Sequence, residues 1–248
     1  MKNTSNNLRE FHPRIDFDSP TLNHSKIILG SFPTWSLTFS NDGKLNALKT
    51  IERVKNGDIQ FYYGSSNNRF WYWYQTFFDS EIFLENVASI KNSLEKNSIG
   101  ITDMIFSCNR KDKSALDKHL TERTYNHLFF KYPQKGQTIK ILCSSKGVMN
   151  EMFLNSAFFN KHPTLSMNES KSFELQNTLL QSINGNPDLV KKPFLRVIEC
   201  SNGGSIECFA TPSPGSPYRK LADFGLKSQN LDDYLNSYLK MVFTWLRS

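Results

Sequence analysis

The chain has 248 residues, enough to bury one sizeable core and better suited to one domain with insertions than to two. Its 30 Lys and Arg against 23 Asp and Glu leave a net charge of +7, which favours an anionic partner such as nucleic acid or a membrane surface. Apolar stretches are broken well short of a bilayer span, and the Asn- and Ser-rich start lacks the apolar segment of a secretory signal; these exclude a membrane-spanning helix and point to a cytoplasmic protein.

Residues 1–24 are polar, punctuated by Pro13 and Pro20, and read as an N-terminal arm ahead of a single domain over 25–248. The first strong strand is Lys26-Ile27-Ile28-Leu29, running into Gly30-Ser31-Phe32-Pro33. Short apolar runs that stop at Gly and Pro are typical of parallel strands whose C-terminal ends carry a site. Residues 36–58 are less regular, with a short helix expected over 45–54, and dense apolar positions predict a helix over 70–78.

A second core run, 99–105, follows a polar segment ending in Asn97-Ser98. A third strand over 138–143 enters Ser144-Ser145-Lys146-Gly147, and a helix is expected from about 148 to 159. Residues 160–193, with Pro163, Pro187 and Pro193, read as an insertion or lid over the core holding one helix near 172–182. Residues 195–200 and 205–210, joined by Ser201-Asn202-Gly203-Gly204, predict a hairpin.

The last element is an amphipathic helix. Leu231, Tyr234, Leu235, Tyr238, Met241, Val242, Trp245 and Leu246 recur at three- and four-residue spacing, with Asn230 as the cap and Asp232 and Asp233 in the first turn. Strands alternate with helices, so the fold class is α/β with a mostly parallel sheet.

Cys108, Cys143, Cys200 and Cys208 form no C-x-x-C pair, and the five histidines show no ligand spacing. No metal and no cofactor is expected. Cys200 and Cys208 flank a turn where they are able to face each other across the hairpin, and all four cysteines are expected as reduced, mostly buried thiols.

The most informative stretch is Tyr62-Tyr63-Gly64-Ser65-Ser66-Asn67-Asn68-Arg69-Phe70-Trp71. Aromatic faces stack on a nucleobase, amides read its edge or hold a water, and arginine reaches a phosphate. A hydrophobic core alone does not ask for that mixture, so the stretch reads as part of a nucleic-acid base site. Three further loops fall on the C-terminal sides of predicted strands, at residues 30–35, 144–147 and 211–219, the edge at which open α/β sheets bind ligands.

These motifs together resemble the uracil-DNA glycosylase superfamily. Gly30-Ser31-Phe32-Pro33 stands where mismatch-specific members carry G-x-N-P, and Tyr63 to Trp71 where they carry an aromatic, a small residue and H-P-x-N-R-F-W. Thr211-Pro212-Ser213-Pro214-Gly215-Ser216-Pro217 stands at the minor-groove loop. The stretch from Gly100-Ile101-Thr102-Asp103 through Ser107-Cys108-Asn109-Arg110 to Ser114-Ala115-Leu116-Asp117 is most similar to the hypoxanthine-DNA glycosylase branch, which also begins with G-S-F-P. The resemblance covers about residues 26–221, omitting insertions near 36–60 and 160–193.

It implies a three-layer α/β/α sandwich around a mostly parallel four-stranded central sheet, with the hairpin and the helical insertion added. It also implies a monomeric, monofunctional DNA glycosylase, with DNA as partner and no membrane. Such an enzyme flips a nucleotide out of the duplex and hydrolyses the bond between base and deoxyribose.

Within that resemblance Tyr63 stacks on the flipped base. Ser31, Phe32, Ser65, Ser66 and Ser144 border the base, with backbone N–H groups near Ser31–Phe32 and the hydroxyls of Ser144 and Ser145 as donors to the departing negative charge. Phe32 occupies the position where the family's first loop usually presents Asp or Asn to water, and the matching catalytic amide is Asn68, which either positions water or bonds the base. Its structural alternative is a cap on the following helix. Asp103 is the acidic catalytic candidate, against a scaffolding pair with Arg110.

Arg69, Ser213, Pro214, Gly215, Ser216, Tyr218 and Arg219 are the implied DNA contacts, with Lys220 adding charge; a plain proline-rich turn is the alternative for that loop. Ser65-Ser66 replaces the family's H-P, so the base is either a deaminated one, such as hypoxanthine or uracil, or a bulky modified cytosine of phage DNA removed in defence. A degenerate DNA-binding module of the same fold and a small-nucleotide hydrolase are the competing functions.

Overall fold

The computed structural model describes residues 9–14, 24–40, 54–111, 117–126, 131–154, 156–219, 221–226 and 230–248. In chain order, β1 (Arg9–Phe11), β2 (Lys26–Gly30) and β3 (Phe39–Ser40) are followed by α1 (Phe70–Phe77) and α2 (Val87–Lys96). Next come β4 (Ile99–Asp103), β5 (Ile105–Arg110), β6 (Leu120–Tyr125) and β7 (Thr138–Cys143), then α3 (Lys146–Phe153) and α4 (Ser156–Lys161). The chain continues through β8 (Leu165–Met167), α5 (Glu169–Ser182), β9 (Leu195–Cys200) and β10 (Ser205–Ala210) to α6 (Leu231–Arg247).

The main sheet has six strands in the order β4-β2-β7-β10-β9-β8. Its first four are mutually parallel, and β9 and β8 are added antiparallel at one edge. The four-stranded sheet expected from the sequence is thus too small, because the 195–210 hairpin extends the sheet instead of standing beside it. Burial explains the parallel part: β4 is buried at every position and β2 at all but its first, as strands covered on both faces must be.

A second, antiparallel sheet, β3-β1-β5-β6, has no counterpart in the sequence reading. The single core run expected over 99–105 is divided at Met104. Up to Asp103 the chain pairs with β2, and from Ile105 it pairs with β1 and β6 in the other sheet. Three residues of the expected N-terminal arm, Arg9–Phe11, form an inner strand of this sheet.

Local chemistry sets the helix starts. Asn86 Oδ1 accepts the N–H groups of Ala88 and Ser89 at the head of α2, a helix hidden in the sequence because few of its positions are apolar. Ser145 Oγ accepts from Val148 N–H, so the helix expected at 148 begins at Lys146 and then divides into α3 and α4. Asn230 caps α6 as expected. The helix expected over 45–54 lies outside the described residues except for Val54, which is irregular.

Helix α6 packs on α1, with Phe243 against Phe70, Tyr74, Phe77 and Phe78. Burying each such ring contributes about 1.5–3 kcal/mol, so this aromatic contact outweighs any helix propensity at these positions. α2 packs on β4, α3 on β7 and β10, and α5 on β9. The four cysteines are free and buried, but Cys200 and Cys208 do not face each other: Cys208 is opposite Arg196, and Cys200 N–H bonds Gly204 O. The four-residue turn sets that register. Among the described residues, no helix is long and apolar enough to cross a membrane.

Candidate functional site

Because β2, β4, β7 and β10 run parallel, their C-terminal ends open on one edge of the sheet, at Ser31, Asp103, Ser144 and Thr211. The strand of this sheet that comes first in sequence, β2, sits between β4 and β7, so the chain steps to one side of it to form β4 and then crosses to the other side to form β7. That is a topological switch point, where the diverging loops leave a crevice.

A cavity of about 1020 Å³ occupies this edge. Of the sequence-predicted residues, it brings together Ser31, Phe32, Tyr63, Ser65, Ser66, Asn68, Arg69, Asp103, Ser144, Ser213, Pro214 and Gly215. Ser216, Tyr218 and Arg219 are exposed and stand outside the lining, and Lys220 lies outside the described residues. Residues 160–193 contribute nothing to its walls; α5 covers β9 instead, with Leu180 fully buried.

The floor is Asp103, 3% exposed, at the end of β4. Its Oδ2 is 2.9 Å from Nε2 of His12, and its Oδ1 has no hydrogen-bond partner among the described residues. The scaffolding pair expected with Arg110 does not form. Arg110 Nε instead bonds Glu10 Oε2 at 2.8 Å, and its NH2 group donates to Pro33 O at 2.6 Å, holding the first loop.

Gly30 is dictated by this floor. A Cβ there would lie 2.1 Å from Asp103 Oδ1 and 2.4 Å from the Tyr63 ring, so only glycine lets the strand end pass.

Of the aromatics in 62–71, only Tyr63 reaches the cavity; Tyr62, Phe70 and Trp71 are core, and Trp71 Nε1 donates to Tyr62 O at 2.6 Å. Tyr63 has φ of 55°, a left-handed conformation that costs a bulky residue about 1–3 kcal/mol. Its ring packs 4.7 Å from Phe70, and its hydroxyl lies 3.4 Å from Thr102 O. Burial, followed by the neighbouring Asp103 carboxylate, raises the phenol well above its ordinary value, so it stays a neutral donor.

Asn68 lies one residue before Arg69, the N-cap of α1, and forms the turn that leads into the helix: its Oδ1 accepts Phe70 N–H at 2.9 Å. That bond fixes the orientation of the amide and leaves Nδ2 to donate to a ligand. Arg69 N–H donates to Pro214 O at 3.2 Å, and its guanidinium lies 5.9 Å from the Tyr218 ring centroid. The Asn68-Arg69 strip and the last loop are thus one unit. Pro214 is buried as the joint, while Ser213, Gly215 and Ser216 are exposed.

Ser66 N–H and Ser36 Oγ both donate to Asp58, tying the lip of the cavity to the first loop. Burial alone would raise the Asp58 carboxyl, but hydrogen bonds led by those from Ser66 and Lys55 N–H hold it below its ordinary value.

Asp117, His12 and Lys55 were not singled out from sequence. Asp117 and Lys55 line the cavity, and Ser31 Oγ donates to Asp117 Oδ1 at 2.9 Å. Asp117 closes the stretch that carried the family resemblance, a signal that was available; nothing in the local sequence marks His12. Among the described residues, no group of three or more His, Cys, Asp or Glu side chains is placed to hold a metal. The chain matches no protein-family model, no curated protein and no solved structure.

Proposed function

We propose that this chain is a monofunctional DNA glycosylase of the uracil-DNA glycosylase type, built as a three-layer α/β/α sandwich with its site at the open edge of the parallel strands. The observation that carries the reading is the convergence of the strand-end loops and the 63–69 strip on one cavity floored by a buried carboxylate, one oxygen of which has no partner among the described residues. A core-packing role alone leaves that oxygen unexplained, since buried acceptors are ordinarily satisfied.

In this reading Tyr63 stacks on the flipped base, recovering roughly 1–3 kcal/mol of the stacking lost from the duplex. Asn68 donates through Nδ2 to the base, because its Oδ1 is held by the helix. Asp103 then takes the water: as the water oxygen bonds C1′, Oδ1 accepts its proton. The C1′–N bond breaks with its electron pair on the base, which is reprotonated from solvent. Donors near Ser31 and Ser144 stabilise that departing charge. The cavity, about 1020 Å³ from rim to floor, has room for a flipped nucleotide, bare or modified.

The test is a panel of duplex and single-stranded oligonucleotides carrying hypoxanthine, uracil, mismatched thymine or glucosylated hydroxymethylcytosine, with phage genomic DNA, read by alkaline strand scission. Asp103→Asn is expected to lower release by about 10²–10⁴-fold while DNA binding persists. Salt-dependent binding with no release from any base favours the second reading, a binding module, for which the turn-forming role of Asn68 and the presence of Phe32 at the water position speak.

A further inference from the structure

We infer that His12 is a positioning residue for Asp103: it occupies Oδ2 and leaves Oδ1 as the carboxylate's unpartnered acceptor at the cavity floor. The role given to Asp103 in hydrolysis rests on the glycosylase reading; the pairing itself rests on geometry alone.

His12 reaches the floor because β1 runs antiparallel to β5, with Glu10 opposite Cys108, and the pairing continues one residue beyond β1, His12 N–H donating to Phe106 O at 2.9 Å. The imidazole is fully buried. Its ring lies 5.2 Å from that of Tyr62 and 6.0 Å, edge-on, from that of Phe32, so packing fixes its plane.

Its tautomer follows from its two neighbours. Arg14 N–H donates to His12 Nδ1 at 3.1 Å, which requires a lone pair there; a proton on Nδ1 would set donor against donor. The neutral ring therefore carries its proton on Nε2 and donates it to Asp103 Oδ2 at 2.9 Å, an assignment made from the hydrogen-bond network.

Without that donor the carboxylate has two open oxygens and is free to turn, and a water would be held in more than one pose. With it, Oδ2 is held, while Oδ1, buried and unpartnered among the described residues, packs close against Gly30 and Tyr63 at the cavity floor. During hydrolysis Oδ1 takes the water proton while the C1′–O bond forms and the base departs with the C1′–N electron pair. The His12 proton stays on Nε2 throughout, so His12 orients and does not shuttle.

Two variants separate orientation from packing. His12→Phe keeps a ring between Tyr62 and Phe32 but removes the donor; His12→Gln restores an N–H near the Nε2 position. Measured by single-turnover release from duplexes bearing hypoxanthine, uracil or glucosylated hydroxymethylcytosine, His12→Phe should lose roughly 10–100-fold in rate, as expected for removing an orienting partner. Its DNA affinity should stay within about threefold, and His12→Gln should recover most of the rate. A wild-type rate in His12→Phe, or equal losses in both variants, overturns the inference.

Nitrogen-15 NMR of labelled histidine in the wild type gives an arm that needs neither activity nor a foldable variant. His12 should be protonated on Nε2, with its resonance moved by Asp103→Asn; an Nδ1-protonated ring overturns the pairing. Absence of base release by the wild type removes the glycosylase reading and the catalytic role together, while an Nε2-protonated ring that responds to Asp103→Asn still establishes the pair.

Discussion

Ser31 Oγ donates to Asp117 Oδ1 at 2.9 Å, joining the first strand-end loop to the short 3-10 turn Asp117–His119. Burial raises the Asp117 carboxyl above its ordinary value, and this bond together with the Arg123 charge offsets only part of that rise. The folded protein thus binds a proton there more readily than the unfolded chain, so stability contributed at Asp117 is lost as pH climbs through the raised value. Asp117→Asn keeps an acceptor for Ser31 without the charge. It should raise Tm at neutral pH, and the gain should vanish below about pH 3.9, the unfolded value. Thermal melts across that range check the sign; a variant less stable at neutral pH contradicts it.

Two substitutions at Asn68 should divide its structural role from its chemical one. Asn68→Asp keeps an acceptor for Phe70 N–H and should leave stability within roughly 0.5 kcal/mol, whereas Asn68→Ala should cost about 1 kcal/mol through the lost hydrogen bond at the turn into α1. Both lose the Nδ2 donor. Base release should therefore fall in both, and full activity in Asn68→Asp would remove Nδ2 from the site.

Gly30→Ala drives a methyl group to 2.1 Å from Asp103 Oδ1, so either the carboxylate or the Tyr63 ring must move. Overpacking of this kind costs about 1–3 kcal/mol. Denaturant unfolding should show that loss, with base release falling further than stability alone explains. An unchanged midpoint would contradict the close packing of Gly30 against Asp103 and Tyr63.

At the exposed rim, Arg69→Ala and Arg219→Ala should weaken DNA binding uniformly across sequences. Each should reduce the slope of log affinity against log salt by about one, the value of one phosphate contact. Arg69→Ala also removes the guanidinium beside Tyr218, so it should be the more damaging of the two. A variant that changes base preference but not the salt slope would place its arginine on bases.

Much of the parallel sheet was legible because its signals are local. Thr138–Cys143, the hairpin arms and the Asn230 cap carry their periodicity and punctuation within a few residues, and they fall where expected. The loops gather at one edge because parallel strands leave them no other place. The second sheet was not legible: its pairing of Glu10 with Cys108 spans most of the first half of the chain, and Arg9–Phe11 is too short to show alternation. For the same reason the sequence offered Arg110 to Asp103, two charges close along the chain, when the partners of both come from residues 10–12.

Glu10 and His12 are two residues apart on this stretch, so their side chains leave it on the same side, and both are buried while Arg9 and Phe11 between and before them are partly exposed. One meets the guanidinium that holds Pro33, the other the carboxylate at the cavity floor. A one-residue slip of β1 along β5 would turn both outward together, stranding Arg110 and Asp103 without counterparts. The alignment of this strand is therefore enforced by two buried charges instead of by an apolar face, and a misaligned strand announces itself as an incomplete site.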